Sequence, residues 1–249
     1  MHLFGKRQNP PLLLLHGIGT GHRLWLRQIE RFEPSHFVLA PDLPGLTGAG
    51  AGGEVSIPAI AKRLADELAA EAIDDLSVCG ISAGASVALA LAGRADVRIS
   101  RLVLSAPQAR APRLMLGLQI AITSLLPART IIGVSRSMVD SDEEIAKATV
   151  EDCRTMGKER TLAALAALKA LDLRAALPRI ETPSWIFCGG KDAANLPAAR
   201  AMVSLMPNAT LHIEPGAGHL WNVQMADRFN DALARALDAR PDHMPPGAS

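Results

Sequence analysis

Leu76-Ser77-Val78-Cys79-Gly80-Ile81-Ser82-Ala83-Gly84 runs directly into Ala85-Ser86-Val87-Ala88-Leu89-Ala90-Leu91-Ala92. The apolar run Leu76–Cys79 predicts a short strand, and the Ala/Leu-rich run predicts a helix. Between them, Gly80-Ile81-Ser82-Ala83-Gly84 leaves space only for a sharp turn with Ser82 at its apex. The flanking glycines remove Cβ atoms that would clash where strand and helix nearly touch. The helix begins immediately behind the serine, so its unpaired N–H groups and positive end favour an anion forming there. Exposure, a nearby base and donors for an oxyanion are what a nucleophilic serine requires. The pentapeptide alone is common; the strand before it and the helix after it make it specific.

A serine hydroxyl needs a histidine base, and the base needs a carboxylate to hold its tautomer. Of seven histidines, His219 stands in the glycine-rich loop Pro215-Gly216-Ala217-Gly218-His219. That loop follows the apolar segment Ala209-Thr210-Leu211-His212-Ile213 and precedes an amphipathic helix through Phe229 to Leu237. Open parallel sheets place their chemistry on loops at strand C-termini. Asp192, in Gly189-Gly190-Lys191-Asp192, likewise follows an apolar segment, Ser184–Cys188. An aspartate after a turn glycine is ordinarily a turn former. The order Ser82, Asp192, His219, with each residue just past a predicted strand, points instead to a triad.

With these motifs the chain resembles the α/β-hydrolase superfamily over nearly its whole length. Leu12-Leu13-Leu14-Leu15-His16-Gly17-Ile18-Gly19 looks like that family's strand and His-Gly oxyanion loop, and Pro41-Asp42-Leu43-Pro44-Gly45 like the turn after its next strand, His36–Ala40. The resemblance implies the backbone N–H groups of Ile18 and Ala83 as oxyanion donors. It implies no metal and no organic cofactor. His16 is then a loop-shaping residue. Asp42 is expected to satisfy backbone donors in its turn, and His212 and Asp227 to be structural or solvated. His2, His22, His36 and His243 have no partner motif.

The chain departs from the family pattern twice. Leu46-Thr47-Gly48-Ala49-Gly50-Ala51-Gly52-Gly53 replaces a polar segment and reads as mobile; without Gly-Lys-Ser/Thr or a leading strand it is not a phosphate loop. Only Met1 to Pro10 precede the first strand, which leaves no room for the N-terminal antiparallel hairpin common in the family. The fold class is therefore expected to be α/β, a mostly parallel sheet of about six strands with helices on both faces and a shortened N-terminus. The strands are expected near Leu12–Leu15, Phe37–Ala40, Leu76–Cys79, Leu102–Ser105, Ser184–Cys188 and Thr210–Ile213. Ser56 is expected to cap a helix with Pro58 in its first turn.

At 249 residues and a formal charge of +1, the composition is that of a single domain without a nucleic-acid-binding block. The three cysteines show no zinc spacing and no disulfide framework. No secretory leader and no run of membrane-spanning length is apparent, so a cytoplasmic monomer or homodimer without membrane or nucleic-acid partners is expected.

From Pro107 to about Thr182 no strand is apparent, and helical patterns fill the gap. Ser141-Asp142-Glu143-Glu144 reads as a capping box. The expected organisation is a core of residues 1–106 and 183–249 with a helical cap at 107–182, or else a helical subdomain that only completes the fold. Leu114, Leu118 and Trp221 are the expected substrate-binding residues, with Leu114–Leu126 as an apolar acyl pocket. Arg110, Arg113, Arg129, Arg136 and Arg154 would instead favour a substrate carboxylate if one faced the site.

The resulting expectation is a serine hydrolase of small-molecule carboxylic esters, thioesters or lactones, with an acyl substrate as its partner. The same triad also serves carbon–carbon bond hydrolysis, cofactor-free perhydrolysis and acyl transfer. A ligand receptor with a vestigial triad is the alternative outside enzymes, and an intact triad weighs against it.

Overall fold

The computed structural model describes residues 1–48 and 55–239. The strands are β1 (His2–Phe4), β2 (Pro11–Leu15), β3 (Phe37–Ala40), β4 (Leu76–Ile81), β5 (Ile99–Ser105), β6 (Ser184–Gly189) and β7 (Ala209–Glu214). They form one sheet in the order β1-β3-β2-β4-β5-β6-β7. All pairings are parallel except β1 with β3, where His2 lies opposite Ala40 and Phe4 opposite Val38. The expected six parallel strands are present, but the sheet has seven. The first ten residues do hold one short antiparallel strand, because three residues suffice to cover the edge of β3.

The helices are α1 (Leu26–Phe32), α2 (Ile57–Ala70), α3 (Ala83–Ala92), α4 (Arg113–Leu125), α5 (Ala128–Ser137), α6 (Glu143–Ala170), α7 (Leu196–Leu205), α8 (Trp221–Gln224) and α9 (Ala226–Asp238). Side chains alternate across each strand. Leu13 and Leu15 of β2 join one core with α2, α3 and α7, while Leu12 and Leu14 join the other with α1, α8 and α9. Burial on both faces explains why β2 reads as an unbroken leucine run rather than an alternating one. Ser56 is the N-cap of α2 as expected, with proline in the first turn, although its side chain makes no capping bond.

Between β5 and β6 lie α4, α5 and α6, with α4 and α5 packed on α6. The first arm of α6 is capped by Asp142, one residue after the expected Ser141; the Asp142 carboxylate accepts from the N–H groups of Glu144 and Ile145. It also receives Arg27, at 2.6 Å from Nε and 3.2 Å from Nη2, which ties the helix to α1. Gly157, with φ 72° and ψ 167°, breaks α6 into two arms. Lys158 follows the break and donates to the carbonyls of Ser124 and Leu126 at the C-terminal end of α4.

The expectation of mobility over Leu46–Gly53 falls largely outside the described residues; Leu46 and Thr47 themselves are buried. His243 also lies outside them. Among the described residues no helix is long and apolar enough to cross a membrane. The three cysteines are free and buried.

Candidate active site

Ser82 follows β4 and caps α3 with φ 55° and ψ −119°, a positive-φ conformation that costs a non-glycine residue on the order of 1–3 kcal/mol. The neighbouring backbone enforces it. A Cβ on Gly80 would lie 2.5 Å from the Gly84 carbonyl oxygen, and one on Gly84 would overlap the Leu15 carbonyl oxygen. The Ser82 N–H donates to the Ser105 carbonyl at 2.9 Å, which pins the turn to β5. The Ser82 side chain makes no capping bond, so its hydroxyl is left to the cavity above the sheet. Ala83 is the first residue of α3, and its N–H is one of those the helix does not use.

The loop after β2 lies against this turn. A Cβ on Gly17 would sit 3.5 Å from Ser82 Cβ and 3.9 Å from Ser82 Oγ. His16 shapes that loop, as expected. Its Nε2 accepts from the Leu43 N–H at 2.8 Å, which puts the proton on Nδ1, and Nδ1 donates to the Gly17 carbonyl at 2.7 Å. Complete burial lowers its pKa to about 4, so the ring is neutral. Gly19 donates to the Leu46 carbonyl, and Ile18, between Gly17 and Gly19, lines the same cavity as Ser82.

The loops after β6 and β7 are laced together. Gly190 N–H donates to the Glu214 carbonyl, and Lys191 N–H to that of Ala217. This brings His219 Nδ1 within 2.7 Å of Asp192 Oδ2. Burial pushes the Asp192 carboxyl upward. The His219 hydrogen bond and charge, with help from Asn195, outweigh that and hold it below the usual carboxylate value.

Asn195 escaped the sequence reading. It is the N-cap of α7, a structural position, but its amide turns away from the helix and donates to both Asp192 oxygens at 2.9 Å. Its Oδ1 in turn accepts from Gln108 Nε2 at 2.6 Å. An Asn three residues after the candidate acid was the available signal, and it reads equally as a cap.

Ser82, Asp192, His219, Ile18 and Ala83 thus border one cavity of about 440 Å³, of ordinary ligand-site size. Both arms of α6 line it, through Thr149 and Cys153 before the Gly157 break and Thr161, Leu165 and Leu168 after it. The Cys153 thiol donates to the Gly19 carbonyl and its pKa is raised by burial, which keeps it protonated.

Three expected substrate-binding residues are not there. Leu114 is 88% exposed and Leu118 60% exposed, on the outer face of α4. The opposite face of that helix presents Gln119 and Thr123 to the cavity. Trp221 is fully buried instead in the core of α8 and α9, stacked on His212 and packed against Phe187 and Phe229, with its Nε1 donating to Ser105 Oγ. Asp42 does satisfy a backbone donor, but that of His22 at 2.8 Å, in another loop.

Comparison with known proteins agrees with this fold. The sequence profile of the alpha/beta hydrolase family matches residues 12–232. The pimeloyl-[acyl-carrier protein] methyl ester esterase of Aromatoleum aromaticum is 32% identical, over 84% of this chain and 91% of its own length. The 3-oxoadipate enol-lactonase 2 of Acinetobacter baylyi is 24% identical, over 94% of this chain and 91% of its own. A hydrolase from Pseudomonas aeruginosa PA01, of known crystal structure, superimposes with a TM-score of 0.83 at 25% identity, over 96% of this chain and 93% of its own.

Proposed function

The chain belongs to the alpha/beta hydrolase family, whose members similar to it include esterases and lactonases, and from that premise we propose a serine hydrolase of small, uncharged carboxylic esters or lactones. The observation that carries the reading is the strained Ser82 turn facing the same cavity as the 2.7 Å His219–Asp192 pair. In this reading Ser82 Oγ attacks the acyl carbon while His219 Nε2 takes its proton. The N–H groups of Ile18 and Ala83 receive the oxyanion. Collapse of the tetrahedral adduct expels the alcohol, protonated by His219, and leaves an acyl-Ser82 ester. His219 then takes a proton from water, hydroxide adds to that ester, and the acid departs. Asp192 stays ionised and stabilises the imidazolium. Asn195 fixes the Asp192 carboxylate through both of its oxygens, with its amide nitrogen 3.1 Å from His219 Nδ1.

The walls support an uncharged acyl group. Leu126, Ile131, Val134 and Met138 face the cavity, and no lysine or arginine lines it among the described residues. Arg110 is engaged with Asp172, and Arg136 with Glu143. Helices α4–α6 act as a cap that closes the cavity opposite the sheet. A series of p-nitrophenyl esters and matched half-esters with a terminal carboxylate tests the reading. Neutral chains should gain a few-fold in kcat/KM per added carbon until the pocket fills, since each buried methylene contributes ~0.8 kcal/mol at most. A flat neutral profile with strong preference for the half-esters would refute it.

A further inference from the structure

Three side chains that the hydrolytic site does not use converge from three separate segments. His2 comes from β1, His22 from the start of a short 3-10 helix (His22–Trp25) between β2 and α1, and Asp42 from the turn after β3. His2 Nε2 lies 3.0 Å from Asp42 Oδ2, and His22 Nδ1 lies 3.0 Å from Asp42 Oδ1. One ligand atom from each falls within 4.8 Å of the others. The two imidazoles are stacked at 3.6 Å with planes 21° apart, and each turns a nitrogen to the same carboxylate. We propose that His2, His22 and Asp42 bind a single divalent cation of the zinc, cobalt or nickel type.

The donor spacing fits such an ion. Zinc holds nitrogen and carboxylate ligands at about 2.0–2.2 Å in a tetrahedron, so neighbouring donors stand roughly 3.4 Å apart, close to the two 3.0 Å contacts here. Two imidazoles and one carboxylate favour these borderline cations over calcium or magnesium, which prefer oxygen donors throughout. The ligands are reachable: the side chains of His2, His22 and Asp42 are 44%, 22% and 22% exposed. That exposure leaves room for water at the fourth position.

Gly21 keeps the approach open. A Cβ there would stand 2.8 Å from Asp42 Oδ1 and 3.0 Å from Asp152 Oδ2, so a second carboxylate faces the same space and can hold that water. Each imidazole binds through the nitrogen that now faces Asp42 and carries its proton on the other.

The site would tie the sheet's antiparallel edge to two loops. One is the Gly17–His22 loop that carries Ile18. The other is the turn where Leu43 meets His16. A cation that binds the folded state alone raises its stability with the logarithm of its free concentration over the dissociation constant.

The test uses untagged, chelator-treated full-length protein, titrated with zinc chloride by calorimetry and with cobalt chloride by visible absorption. One equivalent of zinc should bind and raise the melting temperature by about 3 °C or more at saturation. Cobalt should give ligand-field bands without the near-ultraviolet charge transfer of a thiolate, which separates this site from Cys153. His2→Ala and His22→Ala should each weaken zinc affinity at least about tenfold. His2→Ala is the safer variant for folding, because its side chain is half exposed at a strand end. Absence of saturable binding would overturn the proposal, and so would stoichiometric binding that persists unchanged in both variants or a thiolate spectrum.

Discussion

On the sheet side of the cavity, backbone meets backbone. Gly84 abuts the Leu15 carbonyl, Gly189 abuts that of Ala217, and Ser82 is held in a strained turn between them. On the cap side, side chains meet across kinked and partly exposed helices. Leu116 is the only residue of α4 that is buried, and Leu114, Met115, Leu118, Ile122 and Leu125 face outward. One side therefore tolerates almost no change in residue type, because added atoms have nowhere to go. The other can change its lining while keeping its helices.

The largest effect should come from the sheet side. Asp192→Asn should lower kcat by on the order of 10⁴, because the amide leaves His219 in the wrong tautomer. The melting temperature should change little, since Asn195 and the laced loops still hold position 192. A loss under about tenfold in steady-state kinetics would mean that another carboxylate serves His219.

His16 sharpens the same contrast through pH. Its folded pKa is about 4 against about 6.5 unfolded, so between these values the unfolded chain binds the extra proton. Its contribution to stability is whole above the unfolded value and is lost as pH falls through this window. Between pH 7 and pH 5 the wild type should lose about 2 kcal/mol more than His16→Gln in urea unfolding. Parallel losses in the two proteins would show that His16 is not held neutral.

Gly157→Ala probes the cap and should have the smallest effect on kcat. Nothing lies within 4 Å of the added Cβ, so the cost is the backbone conformation alone; φ 72° with ψ 167° is a region essentially confined to glycine, and the strain is on the order of 1–3 kcal/mol. Straightening α6 would move Thr149 and Cys153 relative to Leu165. Differential unfolding should show that loss, and ester kinetics should show KM altered more than kcat. An unchanged KM with a reduced kcat would reverse the division of labour between the two sides.

The same division governed what the sequence disclosed. Ser82, Asp192 and His219 were legible because each stands in a glycine-marked loop just past an apolar strand, where backbone crowding restricts the residue types. The face of α4 was not legible. The Leu114–Leu126 run is apolar around much of its circumference, so hydrophobicity could not choose between the face that carries Leu114 and Leu118 and the one that carries Gln119 and Thr123. Trp221 misled by its closeness to His219; one short helical turn sends the indole down into the sheet packing.

β1 gave no signal because three residues carry no periodicity. The Asp142 cap was placed one residue early because Ser141 matches the same motif. Asn195 was hidden behind a capping role that its side chain does not perform. His2, His22 and Asp42 had no shared pattern at all: the pairing of β1 with β3 carries His2 toward Asp42, and His22 reaches the same carboxylate from a third segment.

The chemistry proposed for this cavity rests on Ser82. Wild-type protein treated with a fluorophosphonate and mapped by peptide mass spectrometry should carry one adduct, on Ser82. Labelling should be abolished in Ser82→Ala and strongly slowed in His219→Ala, with both variants folded by circular dichroism. An adduct on a different serine, or labelling of Ser82 at an unchanged rate without His219, would contradict it.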